Sequence, residues 1–319
     1  MNPGITYRDA GVDLDAAQRH TANIASMVAG GTGGFAGLVE MPKMRDPLLV
    51  SATDGVGTKI ALAQKLGRLD GLGQDLVAMC VNDLACTGAT PLFFLDYMAV
   101  GRLDPEIAGQ IVASISAACA AVGCALVGGE TAEHPGVVAP DHLDLAGFAV
   151  GVVERDEVLG PHRVVDGDVI VGIPSSGLHS NGFSLVRALV DSGALAPDAD
   201  LLLEPTRLYP NDVARLRDTG ADLHAAAHIT GGGFPENLPR AIPEGLRPII
   251  DPSTWERTAA IEAVLAAGVP DEDAWSTFNM GIGMCLVLTR DAAATATGAI
   301  TGARVIGHVE RGEGGLRFG

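Results

Sequence analysis

The chain has 319 residues, 47% apolar and only 4% aromatic, enough for two domains whose cores rest on Val, Leu, Ile and Ala. With 21 basic against 39 acidic residues, its formal charge of −18 excludes the basic stripe that nucleic acid requires, but not a phosphorylated ligand held by a few arginines, backbone amides or a cation. No run of apolar residues predicts a membrane span, Met1–Asp15 shows no signal-peptide pattern, and the five cysteines include no CxxC; a cytoplasmic chain with reduced, buried thiols is expected.

In chain order, residues 13–28 read as helical. Leu48–Thr53 predicts a strand that ends at a glycine-rich turn. Asp75–Ala85 predicts a helix, with Leu76, Cys80 and Leu84 on one stripe and Val77 and Val81 beside it. Pro91–Val100 predicts a strand. Asp104, followed by Pro105 and Glu106, is an N-cap signal for a helix that Gly123 ends. Strands are expected at Cys124–Gly128 and Leu143–Val153. The polar stretch Glu154–Gly167 predicts the domain boundary, which divides the chain into residues 1–160 and 161–319. The second half opens with a strand at Asp168–Ile173. A helix over Asn181–Val190, a turn at Gly231–Gly233 and strands at Gly283–Leu288 and Ala303–Val309 follow. Strands and helices mixed in both halves predict two α/β or α+β domains.

Four segments carry candidate chemistry. Asp54-Gly55-Val56-Gly57-Thr58-Lys59 joins a strand to a helix: its glycines let amides approach an anion, its lysine reaches a phosphate, and its aspartate suits Mg²⁺. It is not a Walker A loop, and the plain alternative is a tight turn with a surface lysine. Asp75 and Asn82 share one helix face with Asp83 adjacent; Asp96 interrupts an apolar strand, where a lone carboxylate is costly; Glu130 follows a further strand. Ser175–Gly182 (SSGLHSNG) places hydroxyls, glycines and His179 before a helix, as either an oxyanion loop or a simple capping loop. Thr230–Gly233 enters a short helix at Phe234-Pro235-Glu236-Asn237. Gly31-Thr32-Gly33-Gly34-Phe35-Ala36 matches a dinucleotide fingerprint, but no strand precedes it, and a loop that closes over a substrate is the better reading.

Beyond these motifs, the segments Gly30–Leu38, Ser51–Lys59, Gly73–Gly101, Leu126–Gly136, Ser175–Arg187, Pro205–Tyr209, Ala227–Arg240 and Phe278–Met284 occur in an order that resembles the phosphoribosylformylglycinamidine cyclo-ligase (aminoimidazole ribonucleotide synthetase) family over nearly the whole chain. The resemblance implies a mixed α+β fold. Its N-terminal domain would lend strands to a dimeric β-barrel core, its C-terminal domain would be an α+β sandwich, and the site would lie in the groove between them. It implies an enzyme that uses ATP and Mg²⁺ to close the five-membered ring of formylglycinamidine ribonucleotide, working as a homodimer with no nucleic acid or membrane partner. By resemblance, Asp54, Asp83 and Glu130, with Asp75 as an extra ligand, hold Mg²⁺. Gly31, Gly33, Gly34, Asp54, Gly55, Gly57, Thr58, Lys59, Asn82, Asp83, Glu130 and Thr131 face the nucleotide. Lys59 and His179 act catalytically, and Ser176, His179, Asn181, Gly231, Gly232, Gly233 and Asn237 meet the ribonucleotide. The first rivals are related enzymes: selenophosphate synthetase, whose reactive N-terminal cysteine is missing since the first cysteine here is Cys80; the glutamine-dependent formylglycinamidine synthetase, which is much longer; and thiamine-phosphate kinase, which lacks a close match to the HSNG and TGGGFPENLPR segments. A catalytically silent nucleotide-binding module is the rival of another class.

Overall fold

The structure, a computed structural model, describes residues 4–28 and 36–319. The first half runs α1 (Leu14–Ile24), β1 (Pro47–Gly55), α2 (Lys59–Leu66), α3 (Leu72–Cys86), β2 (Thr90–Val100), α4 (Pro105–Ala121), β3 (Ala125–Glu133) and β4 (Leu143–Glu154). Its four strands form one sheet in the order β1-β4-β2-β3, antiparallel except for the parallel β2/β3 pair. Helices α3 and α4 cover one face only. Leu76, Cys80 and Leu84 are buried with Phe94, Met98 and Ala149 of the strands and Ile111 and Ile115 of α4. Asp104 caps α4 as expected, accepting the Glu106 and Ile107 amides. Glycines set the close approaches. A Cβ at Gly147 would lie 2.5 Å from Phe94 Cζ and 3.1 Å from Cys80 Sγ, and one at Gly73 would lie 2.6 Å from the Ile111 carbonyl oxygen, so α3 sits flush on both the sheet and α4.

The second half runs β5 (Val169–Pro174), α5 (Phe183–Ser192), α6 (Ala199–Leu202), α7 (Pro210–Asp218), β6 (Leu223–His228), α8 (Gly233–Asn237), β7 (Leu246–Ile250), α9 (Ala259–Ala266), α10 (Asp271–Thr277), β8 (Ile282–Leu288), α11 (Arg290–Ala299), β9 (Arg304–Arg311) and β10 (Arg317–Phe318). Its six strands are ordered β10-β7-β9-β5-β8-β6. Alternate residues of β8 feed the two sides. Met284, Leu286 and Leu288 pack with Val213, Leu216 and Ala296 of α7 and α11, whereas Cys285 and Val287 join the cluster that contains Val186, Val190 and Val264 of α5 and α9.

The chain is thus mixed α+β with one sheet in each half. Strand β3 runs five residues past the expected Gly128, so Glu130 lies within it rather than after it. Strand β6 was not anticipated: LHAAAH lacks the β-branched residues that mark a strand, yet all six positions are buried. Among the described residues, one face of the first sheet is left open. Its uncovered face carries Phe148, Leu95, Phe93 and Val150, with Leu49 and Phe148 left 65% and 43% exposed.

Candidate active site

The two halves meet along α3, whose polar face grips the segment Pro205–Tyr209 ahead of α7. Asp75 is fully buried. Its Oδ1 accepts hydrogen bonds from the Thr206 amide at 2.8 Å, the Thr206 hydroxyl at 2.7 Å and Lys59 Nζ at 2.9 Å, and its Oδ2 lies 2.8 Å from the same Nζ. The Lys59 ammonium also donates to the Glu204 carbonyl at 3.0 Å and lies 5.4 Å from the centre of the Phe183 ring. Two turns along α3, Asn82 donates to the Arg207 carbonyl at 3.0 Å and accepts the Tyr209 amide at 2.9 Å. The shared helix face of Asp75 and Asn82 is therefore real, but it clasps the other half of the protein. Asp75, expected as a metal ligand, is here an internal anchor: Oδ1 takes three donors, and the buried Oδ2 has only the Lys59 charge beside it. Lys59 and Asn82, expected at the nucleotide, present no free polar atom to one in this conformation. The physical reason is compensation: a carboxylate removed from water requires a cation and donors, and Lys59 and Thr206 supply them.

The expected metal carboxylates that remain accessible are Asp54, at the end of β1, Asp83, on α3, and Glu130, within β3. Asp54 keeps an exposed side while protein crowds its inner side. This partial burial pushes its carboxyl up, the Gly55 amide pulls it down, and the Asp83 charge adds a further push. Asp83 accepts a hydrogen bond from His228 Nδ1 at 3.1 Å, and His228 Nε2 lies 3.3 Å from the Asn82 amide nitrogen. This arrangement fits a neutral imidazole protonated on Nδ1, with Nε2 accepting from Asn82. His228 orients Asp83 without belonging to any of the expected site residues; the one signal for it was its place at the start of the segment Ala227–Arg240 that carries the family resemblance. Across the sheet, Asp54, Gly147, Asp96 and Gly129 share one row and one face, whereas Gly55, Ala146, Tyr97 and Glu130 make the next row on the opposite face. Glu130 thus stands on the sheet face opposite Asp54, one row along. Among the described residues, no three His, Cys, Asp or Glu side chains converge on one point that could hold a metal. Asp96 lies buried over Gly129, where a Cβ would come within 2.8 Å of its Cγ. Burial first, and Glu130 second, push its carboxyl up to about 7. Thr131, on the helix-covered face, meets His20 Nε2 of α1 at 3.1 Å.

On the second-half side, Ser176 donates its hydroxyl to the Pro205 carbonyl at 2.6 Å, and its amide donates to His179 Nε2 at 3.2 Å. His179 is fully buried in a left-handed backbone conformation, its Nδ1 without a partner, and its ring is held well below the ordinary 6.5, by burial first and also by the nearby cations Lys59 and Arg207. The catalytic role expected for His179 thus meets a neutral, enclosed ring. The Asn181 amide nitrogen is likewise buried without a partner. Asn237 spends its amide on the Gly231 and Gly233 carbonyls at 3.0 and 2.8 Å, and a Cβ at Gly232 would lie 2.6 Å from Glu236 Cδ. The expected phosphate loop at Gly231–Gly233 is therefore tied together by Asn237 and overlain by a carboxylate, a poor setting for an anion. Gly31, Gly33 and Gly34 lie outside the described residues. Gly57 has φ +68°, and the space where its Cβ would stand is empty; Thr58 Oγ1 lies 3.2 Å from Ser184 Oγ of α5. Gly57 and Thr58 line a cleft of about 560 Å³ between the halves. Gly55 closes β1, its amide donating to the Asp54 carboxylate at 2.8 Å.

Comparison with known proteins follows both halves. Residues 35–153 match the family described as AIR synthase related protein, N-terminal domain, and residues 165–318 match AIR synthase related protein, C-terminal domain. A phosphoribosylformylglycinamidine cyclo-ligase of Synechococcus sp. (strain CC9311) is 47% identical, over 97% of this chain and 96% of the relative. That of Synechococcus sp. (strain CC9605) is 50% identical, over 88% of each. Among solved structures, hydrogenase maturation protein HypE in complex with ATP shares 20% identity at a TM-score of 0.69, over 92% of this chain and 83% of that one. A thiamine-monophosphate kinase from Stenotrophomonas maltophilia shares 20% at 0.68, over 96% of each. At that identity these structures show a common fold alone.

Proposed function

Because the chain belongs to the phosphoribosylformylglycinamidine cyclo-ligase family, we propose that it closes the imidazole ring of 5-aminoimidazole ribonucleotide from formylglycinamidine ribonucleotide with ATP, in de novo purine biosynthesis. The observation that carries this reading is identity of 47% sustained over 97% of the chain, through both halves of the site. The chemistry needs three things. The formamide oxygen, a poor leaving group, is phosphorylated by the γ-phosphate. The substrate's own nitrogen then attacks the activated carbon intramolecularly, which raises its effective concentration. Phosphate departs, and water is kept from the carbon throughout.

In this reading Asp54 and Asp83 hold Mg²⁺. Two accessible carboxylates that crowd one another fit a hard cation that takes its remaining oxygens from phosphates and water. When bound, Mg²⁺ would supply charge neutralisation for the triphosphate. The protein's share is orientation: His228 and Asn82 fix Asp83, and the Lys59–Asp75–Thr206 clasp fixes the angle between the halves. Residues 1–160 carry the carboxylates and residues 161–319 close the groove. The uncovered sheet face at Leu49, Phe93, Leu95 and Phe148 supports a homodimer in which two such sheets join into a barrel. No helix among the described residues is long and apolar enough to cross a membrane. Five free cysteines, four of them buried, support a reducing, cytoplasmic place.

The test is incubation of purified protein with formylglycinamidine ribonucleotide, ATP and Mg²⁺, following product mass and ADP together. One ADP per aminoimidazole ribonucleotide is expected; ADP without ring closure, or neither product, would overturn the reading.

A further inference from the structure

The cleft at Gly57 and Thr58 holds a cation that nothing so far has used. Arg187, on α5, lines it, and among the described residues no carboxylate lies within ion-pairing distance of its guanidinium, whereas Arg207, Arg217 and Arg247 are all paired. Other arginines also lack an ion pair, but Arg187 is the one that lines this cleft, a cation facing a cavity in a chain of formal charge −18. The cleft is walled on the first-half side by the loop between β3 and β4. That wall is firmly braced. The Gln64 amide donates to the Asp141 carbonyl at 2.8 Å, and the Gly101 amide to the His142 carbonyl at 3.0 Å. A Cβ at Gly101 would come within 2.7 Å of Pro140 Cα. Val138 and Ala139 give the wall an apolar face, while Thr58 and His142 add donors at its rim. The one acid in the lining, Asp144, turns its carboxylate to the Leu145 amide at 2.9 Å.

Size and chemistry narrow the occupant. A volume of about 560 Å³ lies in the range of small-molecule sites. The ligand should carry a small dianion for the guanidinium fork, with a compact, partly apolar body against Val138 and Ala139. Gly57, with its open left-handed backbone, admits the anion close to main-chain amides. The competing loop at Gly231–Gly233 offers the Glu236 carboxylate instead. Resting on the proposed function, we propose that this cleft seats the sugar-phosphate end of the ribonucleotide substrate, with Arg187 as the cation on its phosphate monoester.

The experiment compares wild type, Arg187→Ala and Arg187→Lys, each checked for an unchanged melting temperature. KM is measured for formylglycinamidine ribonucleotide and for ATP, and binding of ribose 5-phosphate is followed by titration calorimetry. Loss of one charge-assisted contact should raise the ribonucleotide KM in Arg187→Ala by about 10- to 100-fold, with a smaller rise in Arg187→Lys and the ATP KM unchanged. Ribose 5-phosphate should bind wild type and not Arg187→Ala. An unchanged ribonucleotide KM overturns the proposal, and a rise confined to ATP overturns it by giving the cleft to the triphosphate. If wild type fails to turn over the ribonucleotide, the proposed function falls, yet Arg187-dependent binding of ribose 5-phosphate would still uphold a sugar-phosphate site. Absence of that binding in wild type would remove it.

Discussion

Asp75 shows how a residue's chemistry can be legible while its use is not. A carboxylate seven positions from Asn82 on an apolar helix marks a special face, but a metal ion and an ammonium on the other half satisfy it equally well, and only the fold says which is near. Replacing Asp75 with Asn leaves the Lys59 charge buried beside a neutral partner, and a loss of about 3 to 5 kcal/mol in urea-denaturation stability is expected. The double variant Lys59→Met/Asp75→Leu should recover much of that loss, because the penalty lies in the unpaired charge; no recovery would mean that Thr206 is the main beneficiary. His179 makes a pH prediction. Its folded ring stays neutral well below 6.5, so beneath that pH the unfolded chain takes up a proton that the native state refuses. Its contribution is present above 6.5 and lost as pH falls, by up to about 1.4 kcal/mol per pH unit. Asp96, raised to about 7, works the other way, losing stability as pH rises towards 7. The readout is therefore the difference between wild type and His179→Gln between pH 5 and 7, and parallel curves would contradict a buried neutral histidine.

At the scale of elements, the strongly patterned pieces were readable: the apolar stripe of α3, the Asp104 cap of α4, and the strands β1 and β4 all follow from local sequence. What escaped was decided by tertiary packing. Strand β6 is made of alanine and histidine because β8 and helices on both sides leave little room, and residues 210–277 carry short helices whose periods are too brief to read. Where helices touch through glycine, the spacing is set by missing atoms. Gly73→Ala would put a Cβ 2.6 Å from the Ser114 Cβ and the Ile111 carbonyl oxygen, prising α3 from α4. A destabilisation of about 1 to 3 kcal/mol is expected by thermal or urea unfolding. Gly109, on the same α4 but with nothing near its Cβ position, is the control and should accept alanine without loss.

For the whole molecule, the first sheet's open face sets the next expectation. Phe148 lies between Thr53 and Leu95 across the strands, at the centre of an apolar surface that no element among the described residues covers. Wild type should sediment as a dimer and Phe148→Asp as a monomer; a monomeric wild type would return that face to solvent and remove the barrel from the proposal. The clasp between α3 and Pro205–Tyr209 carries a different consequence. Two family descriptions divide the chain neatly, yet a cut between them would strand Asp75, Lys59 and Asn82 without the groups that satisfy them. The halves are thus not interchangeable modules. A chimera that takes its second half from a relative inherits a foreign handhold at residues 205–209, and it will assemble only where that handhold and α3 have been transplanted together.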